Sequence, residues 1–209
     1  MELRMRNVFL IALVWLALTA VSKVQDEPKP AISNEPLTAE QIAIYRVVLA
    51  DYMKGTHDAL NLADRTEPLQ RFEGSSEIGC ISGITLTDPK PPSLVHRITA
   101  PSDLGPKLVL VDADTQQGKI NKNDPQNLVK RAIDDHERVT DKQLDDSIKK
   151  AFEVGVFTLS EIAFDKGHQN AIVGYSFVCG GLCGSGNILL LKKVGRKWKM
   201  AKQCGGWVS

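Results

Sequence analysis

The last third of the chain alternates β-forming segments with very short connections, and no other feature constrains the fold as strongly. Four segments are rich in β-branched, apolar or aromatic residues: 158–164, 171–178, 187–194 and 197–202. They are joined by a turn around Gly167, by the cysteine- and glycine-rich residues Cys179–Gly186, which we call the Cys/Gly block, and by the pair Gly195-Arg196. Consecutive strands with such short links pair with each other, so we expect an antiparallel meander of about four strands.

Two of these segments also predict which faces are buried. In the last segment, Trp198 and Met200 share one side while Lys197 and Lys199 share the other. This pattern indicates one face packed on the core and one face exposed to solvent. Segment 171–178 is apolar on both sides, which predicts a central strand. Other parts of the chain must therefore cover both faces of the sheet at this strand.

Upstream of the meander, capping signals predict helices. Thr38-Ala-Glu-Gln41 has capping-box spacing and begins a helical pattern over about 39–53. Asp124-Pro125 predicts a second helix that runs to about Glu137, and Thr140-Asp-Lys-Gln143 begins a third. The third helix has an apolar face formed by Leu144, Ile148, Ala151 and Phe152. Helices followed by strands predict an α+β fold, with N-terminal helices packed on the C-terminal meander.

The middle of the chain gives weaker signals. Residues 77–86 and 107–112 are rich in β-branched and aliphatic residues and predict strands. Five prolines indicate a long irregular connection over 88–106. Residues 112–118 have the oxygen density of a calcium loop, but the glycine comes one position late and no acidic residue closes the loop. We therefore predict no metal site there.

The N-terminus has the pattern of a secretory signal peptide over residues 1–22. A short basic start precedes Val8–Leu18, an apolar run too short to span a bilayer comfortably, and small residues follow up to Ser22. We expect cleavage near Ser22 and export to the periplasm or the extracellular space, with no transmembrane segment in the mature chain. The proline-containing residues 23–37 predict a flexible tether before a single domain over 38–209.

Export changes the interpretation of the four cysteines, Cys80, Cys179, Cys183 and Cys204. An oxidising compartment favours disulfides over zinc ligation or free thiols. Four cysteines allow three pairings. The glycine-rich tract between Cys179 and Cys183 favours a local bridge, which leaves Cys80 with Cys204. In that pairing the long bridge fixes the fold and the local bridge shapes a loop.

Several C-terminal motifs occur together in a known family. The motifs are Ser160-Glu-Ile-Ala-Phe164, Tyr175–Gly186 with its paired cysteines, Leu191–Lys199 with Gly-x-x-Trp-Lys, and Trp207-Val-Ser209. In these motifs the chain resembles a family of small exported bacterial proteins of unknown function. The resemblance covers about residues 157–209, and Cys204 departs from the family pattern. It implies no activity, because none is assigned to the family.

Two catalytic hypotheses attach to the Cys/Gly block. Cys179 and Cys183 are candidates for thiol exchange, but thioredoxin-like pairs have two intervening residues at a helix N-terminus, and this pair has three between strands. Ser185 is a candidate hydrolase nucleophile with His168 as the base nearest in sequence, yet the Gly-x-Ser-x-Gly order and the following helix are missing. A turn serine and a turn-tip histidine are the favoured interpretations.

The remaining histidines, His57, His96 and His136, show no zinc-binding spacing. We assign no catalytic residue, no cofactor and no metal ligand. The sequence therefore favours a non-catalytic binding or structural module, and an enzyme that uses the cysteine pair or Ser185 is the alternative.

Charge is unevenly distributed although its sum is close to zero. The chain has 26 Lys and Arg against 25 Asp and Glu, so we expect no nucleic-acid partner. No acidic residue follows Asp165. Basic residues crowd the last hairpin and are candidates for weak contact with an anionic envelope surface: Lys192, Lys193, Arg196, Lys197 and Lys199. The favoured alternative is a solvated face whose lysines protect an edge strand.

Overall fold

A computed structural model describes residues 30–55, 58–69 and 94–209. The strands of this part are β1 Ala31–Ser33, β2 Leu60–Ala63, β3 Leu94–His96, β4 Leu108–Val111, β5 Val156–Leu159, β6 Ala163–Phe164, β7 Asn170–Gly180, β8 Cys183–Val194 and β9 Lys197–Val208. Its α-helices are α1 Ala39–Tyr52, α2 Ala113–Asn123, α3 Pro125–Asp134 and α4 Asp141–Val154. None of these helices has the length and apolar character that a membrane crossing requires.

Three helices begin where capping signals predict them. The Thr38 hydroxyl accepts a hydrogen bond from the Gln41 N–H, and the Gln41 side chain accepts one from the Thr38 N–H. Thr140 and Gln143 form the same capping box at α4. Asp124 caps α3. Because capping depends on residues within one turn, local sequence suffices to locate these N-termini.

Two helix boundaries differ from the prediction. The oxygen-rich residues 112–118 begin α2, since the Asp112 carboxylate accepts a hydrogen bond of 2.7 Å from the Thr115 N–H. The sequence predicted no helix here, because few apolar residues mark a periodic face. In addition, α3 ends at Asp134 rather than near Glu137, because His136 has a left-handed backbone with a φ of 57°.

The main sheet is mixed and has seven strands in the order β4-β2-β5-β7-β8-β9, with β6 paired to β7. The strands β5, β7, β8 and β9 form an antiparallel meander, as predicted, but the predicted segment 158–164 divides into β5 and β6. Beyond it, β2 pairs in parallel with both β5 and β4. The α+β class is confirmed, but the sheet is mixed and has seven strands, whereas the sequence predicted N-terminal helices packed on an antiparallel meander of about four strands. Because β4 and β5 both run parallel to β2, the chain must cross back over the sheet between them, and three helices lie in this connection.

A second, two-stranded sheet pairs β1 with β3 in parallel. The strand β3 interrupts residues 88–106, which the sequence predicted to be irregular, and β1 lies inside the predicted tether at 23–37. The predicted strand at 77–86, with Cys80, falls outside the described residues. The predicted signal peptide at 1–22 also falls outside them.

The core fills both faces of the central strand β7, as predicted. On one face Val173 packs with Ile44 and Val48 of α1, and on the other face Ile172 packs with Leu190. The predicted faces of β9 are also confirmed: Trp198 and Met200 belong to the side covered by α1, whereas Lys197 and Lys199 are exposed.

A buried carboxylate connects β3 with the segments that follow β2 and β5. Glu161 is only 4% exposed and accepts hydrogen bonds from the Thr66 hydroxyl and, at 2.9 Å, from the His96 N–H. Its carboxylate also lies 3.0 Å from Nδ1 of His96. Tyr45 of α1 donates to the Ser160 carbonyl at 2.9 Å. Burial, with the charge of Glu161 as a smaller cause, raises the pKa of Tyr45 well above its ordinary value. The cluster thus holds β3 and α1 against the main sheet.

Replacing Glu161 with alanine tests this role. We expect the Glu161→Ala variant to lose about 2 kcal/mol of unfolding free energy, because the Thr66 hydroxyl and the His96 N–H lose a charged acceptor. Urea denaturation followed by circular dichroism measures the loss. Glu153→Ala, in the exposed part of α4, is the control and should change the free energy by less than about 0.5 kcal/mol. Equal losses in the two variants would contradict the role of Glu161.

Candidate functional site

An open apolar cavity of about 850 Å³ lies between the helix pair α3–α4 and the end of the β7–β8 hairpin. We call it the hairpin groove. Its walls are defined by Val129 and Ile133 of α3, Ile148 and Phe152 of α4, Phe177 of β7 and Cys183 of β8. The groove therefore has a floor of paired strands and a roof of two helices.

Exposed apolar side chains concentrate at this groove. Of the eleven large apolar side chains that are exposed in the described part of the chain, six line it: Val129, Ile133, Ile148, Phe152, Leu182 and Val208. Contiguous exposed apolar surface in a folded protein commonly marks a binding site. This clustering makes the hairpin groove the candidate functional site.

The roof helices turn their apolar faces toward the cavity instead of burying them. The predicted stripe on α4 is present, but Ala151 is its only buried member, and Phe152 remains 57% exposed. On α3, Val129 and Ile133 are one helical turn apart, and the helix buries no residue. The helix pair therefore stands away from the sheet along much of its length.

The N-terminus of α3 is fixed to the turn of the β7–β8 hairpin. The Gly181 N–H donates a 2.7 Å hydrogen bond to one carboxylate oxygen of Asp124, and the Gln126 N–H donates a 2.9 Å bond to the other. A Cβ on Gly180 would lie 3.1 Å from the carboxyl carbon of Asp124, and one on Gly181 would overlap the Gln126 amide. The two glycines thus allow the helix to approach the hairpin closely.

The disulfide between Cys179 and Cys183 is present, as predicted, with Cα atoms 5.0 Å apart. Both cysteines lie in strands joined by the turn at 181–182, so the bridge clamps a hairpin end and not an open loop. Both also line the groove. Cys204 is disulfide-bonded as well, and its predicted partner, Cys80, lies outside the described residues.

Aromatic rings line the part of the groove next to α1. Phe152 stacks on Phe177 with ring centroids 6.1 Å apart, and Tyr52 lies 6.2 Å from Phe177. Burial, with Tyr175 as a smaller cause, raises the pKa of Tyr52 to about 12. The Tyr52 phenol therefore stays protonated and uncharged near neutral pH, and this end of the groove offers apolar and neutral surface.

Two charged side chains, Asp124 and Lys130, line the groove. Both carboxylate oxygens of Asp124 accept backbone hydrogen bonds at the start of α3. Lys130 is exposed, and none of the ion pairs among the described residues involves it. The groove therefore has one carboxylate engaged by N–H donors and one ammonium group available at its rim.

The candidate Ser185 and His168 are not brought together. Ser185 lies in β8 opposite Phe177, so the interpretation as a turn residue is wrong. His168 lies in the turn before β7, as predicted, with Nδ1 3.0 Å from the Glu40 carboxylate. Asn170 and Phe177 are roughly 23 Å apart along β7. The serine and the histidine therefore lie near opposite ends of the hairpin.

The predicted basic residues divide between two faces of the sheet. Lys192 and Lys199 are directly opposite each other on β8 and β9, and Lys197 and Lys202 project from the same face. These four exposed residues form the outer lysine face. Among the ion pairs of the described residues, none includes them.

Lys193 and Arg196 lie elsewhere. Lys193 pairs with Trp198 on the helix-covered face, where its Nζ is 2.6 Å from Glu40 and 5.5 Å from the centre of the Trp198 ring. The hydrogen bond from Lys193 is the largest cause that lowers the pKa of Glu40. Arg196 lies in the turn between β8 and β9. Lys193 is thus engaged by its neighbours within the fold.

The sequence did not single out the groove residues of α3. Val129 and Ile133 have the four-residue spacing of an apolar helical face, and this spacing was the available signal. No local sequence pattern indicates that this face of α3 remains uncovered in the folded protein. Likewise, the capping role of Asp124 was predicted, but its bond to Gly181 joins residues far apart in sequence.

Comparison of the chain with protein-family models, with characterised proteins and with solved structures finds no match. The resemblance of residues 157–209 to an exported family stays a prediction. A function must therefore be argued from the groove and from the charged surface.

Removing the Asp124 carboxylate tests how α3 is held. We expect Asp124→Ala to lower the unfolding free energy by about 1–2 kcal/mol, because α3 loses its N-cap and the Gly181 N–H loses its partner. Asp124→Asn keeps one acceptor oxygen, which serves one of the two N–H donors while its NH2 group faces the other, so it should lose part of this free energy. Guanidinium denaturation of the three proteins gives the comparison, and an unchanged Asp124→Ala variant would show that the contact does not hold the helix.

Proposed function

We propose that this protein is an exported, non-catalytic binding module of the cell envelope or the secreted fraction, and that the hairpin groove holds an apolar ligand. The groove itself is the observation that carries the proposal. Its volume of about 850 Å³ lies within the range of small-molecule sites. Its walls are mainly apolar, with a few polar groups at the rim.

Two anchors keep the groove open. Asp124 holds the start of α3 to the hairpin turn, and the stack of Phe152 on Phe177 holds the end of α4 to the sheet. Between them, Ile133 and Ile148 face the cavity. Covering their exposed surface with a ligand is favourable, since apolar burial contributes about 25 cal/mol per Å².

The enzyme alternatives have less support. The Cys179 sulfur is buried in the wall, which limits access for exchange. Ser185 lies near the opposite end of β7 from His168. A binding role needs only the shape and polarity of the groove.

We also propose that the outer lysine face makes weak contact with an anionic envelope surface. Lys192 and Lys199 are direct cross-strand neighbours, an arrangement of like charges that costs stability unless a partner offsets it. The same face lies partly on β9, an edge strand of the described sheet, where lysines also discourage strand pairing. Binding an anionic surface and protecting an edge strand both keep these lysines exposed. Only the surface binding requires an anionic partner.

Charge placed inside the groove tests the binding proposal. We expect the protein to bind the neutral fluorescent probe N-phenyl-1-naphthylamine, and Ile133→Glu and Ile148→Glu to weaken binding at least about tenfold, because each places a carboxylate in the apolar wall. Both side chains are exposed, so the fold should persist. Fluorescence titration measures the affinity.

The matched control is Val109→Glu, an equally drastic change at an exposed residue of the edge strand β4 that does not line the groove. It should bind the probe like the original protein. An original protein that does not bind the probe, or a control that loses as much as the groove variants, would refute the proposal.

Neutralising the outer lysine face tests the surface contact. We expect the protein to co-sediment with phosphatidylglycerol vesicles at low salt and not at high salt. The triple variant Lys192→Gln, Lys197→Gln, Lys199→Gln should lose roughly fivefold in affinity for each lysine, from about 1 kcal/mol per charge. Lys142→Gln, Lys149→Gln, Lys150→Gln on α4 is the control with the same net charge. Equal losses in the two triple variants would show that only net charge matters.

A further inference from the structure

We infer that the ligand of the hairpin groove is a single-chain amphiphile with an anionic head, whose hydrocarbon tail lies in the groove and whose head lies at Lys130. This inference rests on the proposed binding function and specifies the chemistry of the ligand. Three features of the groove support it: the apolar walls, the hydrogen-bonded backbone of the floor, and the difference between its two charged side chains. Asp124 accepts two backbone hydrogen bonds, whereas Lys130 takes part in none of the described ion pairs.

The walls match a hydrocarbon tail. The roof presents Val129 and Ile133 from one helix and Ile148 from the other, and the floor presents Phe177. Tyr52 adds a ring whose hydroxyl stays uncharged near neutral pH, since burial raises its pKa to about 12. Such a surface is favourable for methylene groups and costly for charged or strongly polar ones.

The backbone of the floor disfavours an extended peptide as the occupant. The strand β8 is hydrogen-bonded to β7 on one side and, from Ser185 onward, to β9 on the other, so the open sheet edge at the groove is limited to the end of β9. The roof consists of helices, whose backbone groups bond internally. A peptide bound between these strands and the helices would bury its own N–H and C=O groups without partners, except where it reached the edge of β9 at Val208. An alkyl chain has no such groups.

The charges at the rim select the head. Each carboxylate oxygen of Asp124 accepts one backbone hydrogen bond, from Gly181 or Gln126, and these two N–H dipoles partly offset its negative charge. Lys130 is the one cation among the described residues that line the groove, and it has no carboxylate partner in the described ion pairs. An anionic head beside Lys130 gains a charge partner, and a cationic head would be repelled.

A series of ligands with one tail and different heads tests the inference. Dodecanoate, dodecyl phosphate, dodecanol and dodecylammonium compete with N-phenyl-1-naphthylamine for the original protein below their micelle concentrations. We expect both anions to bind up to about fivefold more tightly than dodecanol, a factor typical of one exposed charge pair, and dodecylammonium to bind least tightly. The two anions distinguish a carboxylate ligand from a phosphate ester.

Reversing the rim charge gives the decisive comparison. Lys130→Glu should reverse the order, so that dodecylammonium binds more tightly than dodecanoate. Lys150→Glu makes the same charge change on the neighbouring helix at a residue that does not line the groove, and it should keep the original order.

The possible failures are distinguishable. If dodecanol binds as tightly as dodecanoate and Lys130→Glu changes neither affinity, the anionic head is wrong while the apolar groove stands. If Lys150→Glu reverses the order as well, net charge and not Lys130 selects the head, which also overturns the inference. If no member of the series binds and the neutral probe does not bind either, the proposed function itself fails.

Discussion

The hydrogen bond between the Gly181 N–H and the Asp124 carboxylate determines how the helical layer sits on the sheet. It fixes the first turn of α3 against a hairpin that the Cys179–Cys183 disulfide closes. Gly180 and Gly181 leave room for this contact, because a Cβ on either would press on the side chain of Asp124 or Gln126. The helix pair is held again at the end of α4, where Phe152 meets Phe177. There the Asn61 and Gln116 side chains also donate hydrogen bonds to α4 carbonyls.

The groove follows from these two attachments, and the rest of the core does not depend on it. The face of the sheet next to α1 is filled by Ile44 and Val48, and Glu161 connects α1 and β3 to the main sheet through a buried polar cluster. Stability can therefore come from this half of the molecule. The apolar faces of α3 and α4 remain available for a ligand, and Lys130 lies at their rim.

Local sequence signals predicted the parts of the fold that depend on interactions between residues close in sequence. Capping boxes located α1 and α4, and segment periodicity located the meander. The strand β4 was predicted at 107–112, but its parallel pairing with β2 and the groove were not predictable, because they depend on contacts between distant segments. The Gly184-Ser-Gly186 motif shows the difference: its glycines border the Trp207 ring, and no local spacing reveals that contact. The short Cys179–Cys183 spacing predicted the disulfide, but not its position in a groove wall.

An open groove lies between α3, α4 and the β7–β8 hairpin, and we propose that it holds an apolar chain. Methyl NMR during a titration with dodecanoate tests it most directly, because it reports each groove residue separately. We expect saturable shifts for Val129, Ile133, Ile148 and Leu182, with Val109 and Ile32 unchanged. Saturable shifts confined to other regions, or no shift in the groove up to the micelle concentration, would contradict it.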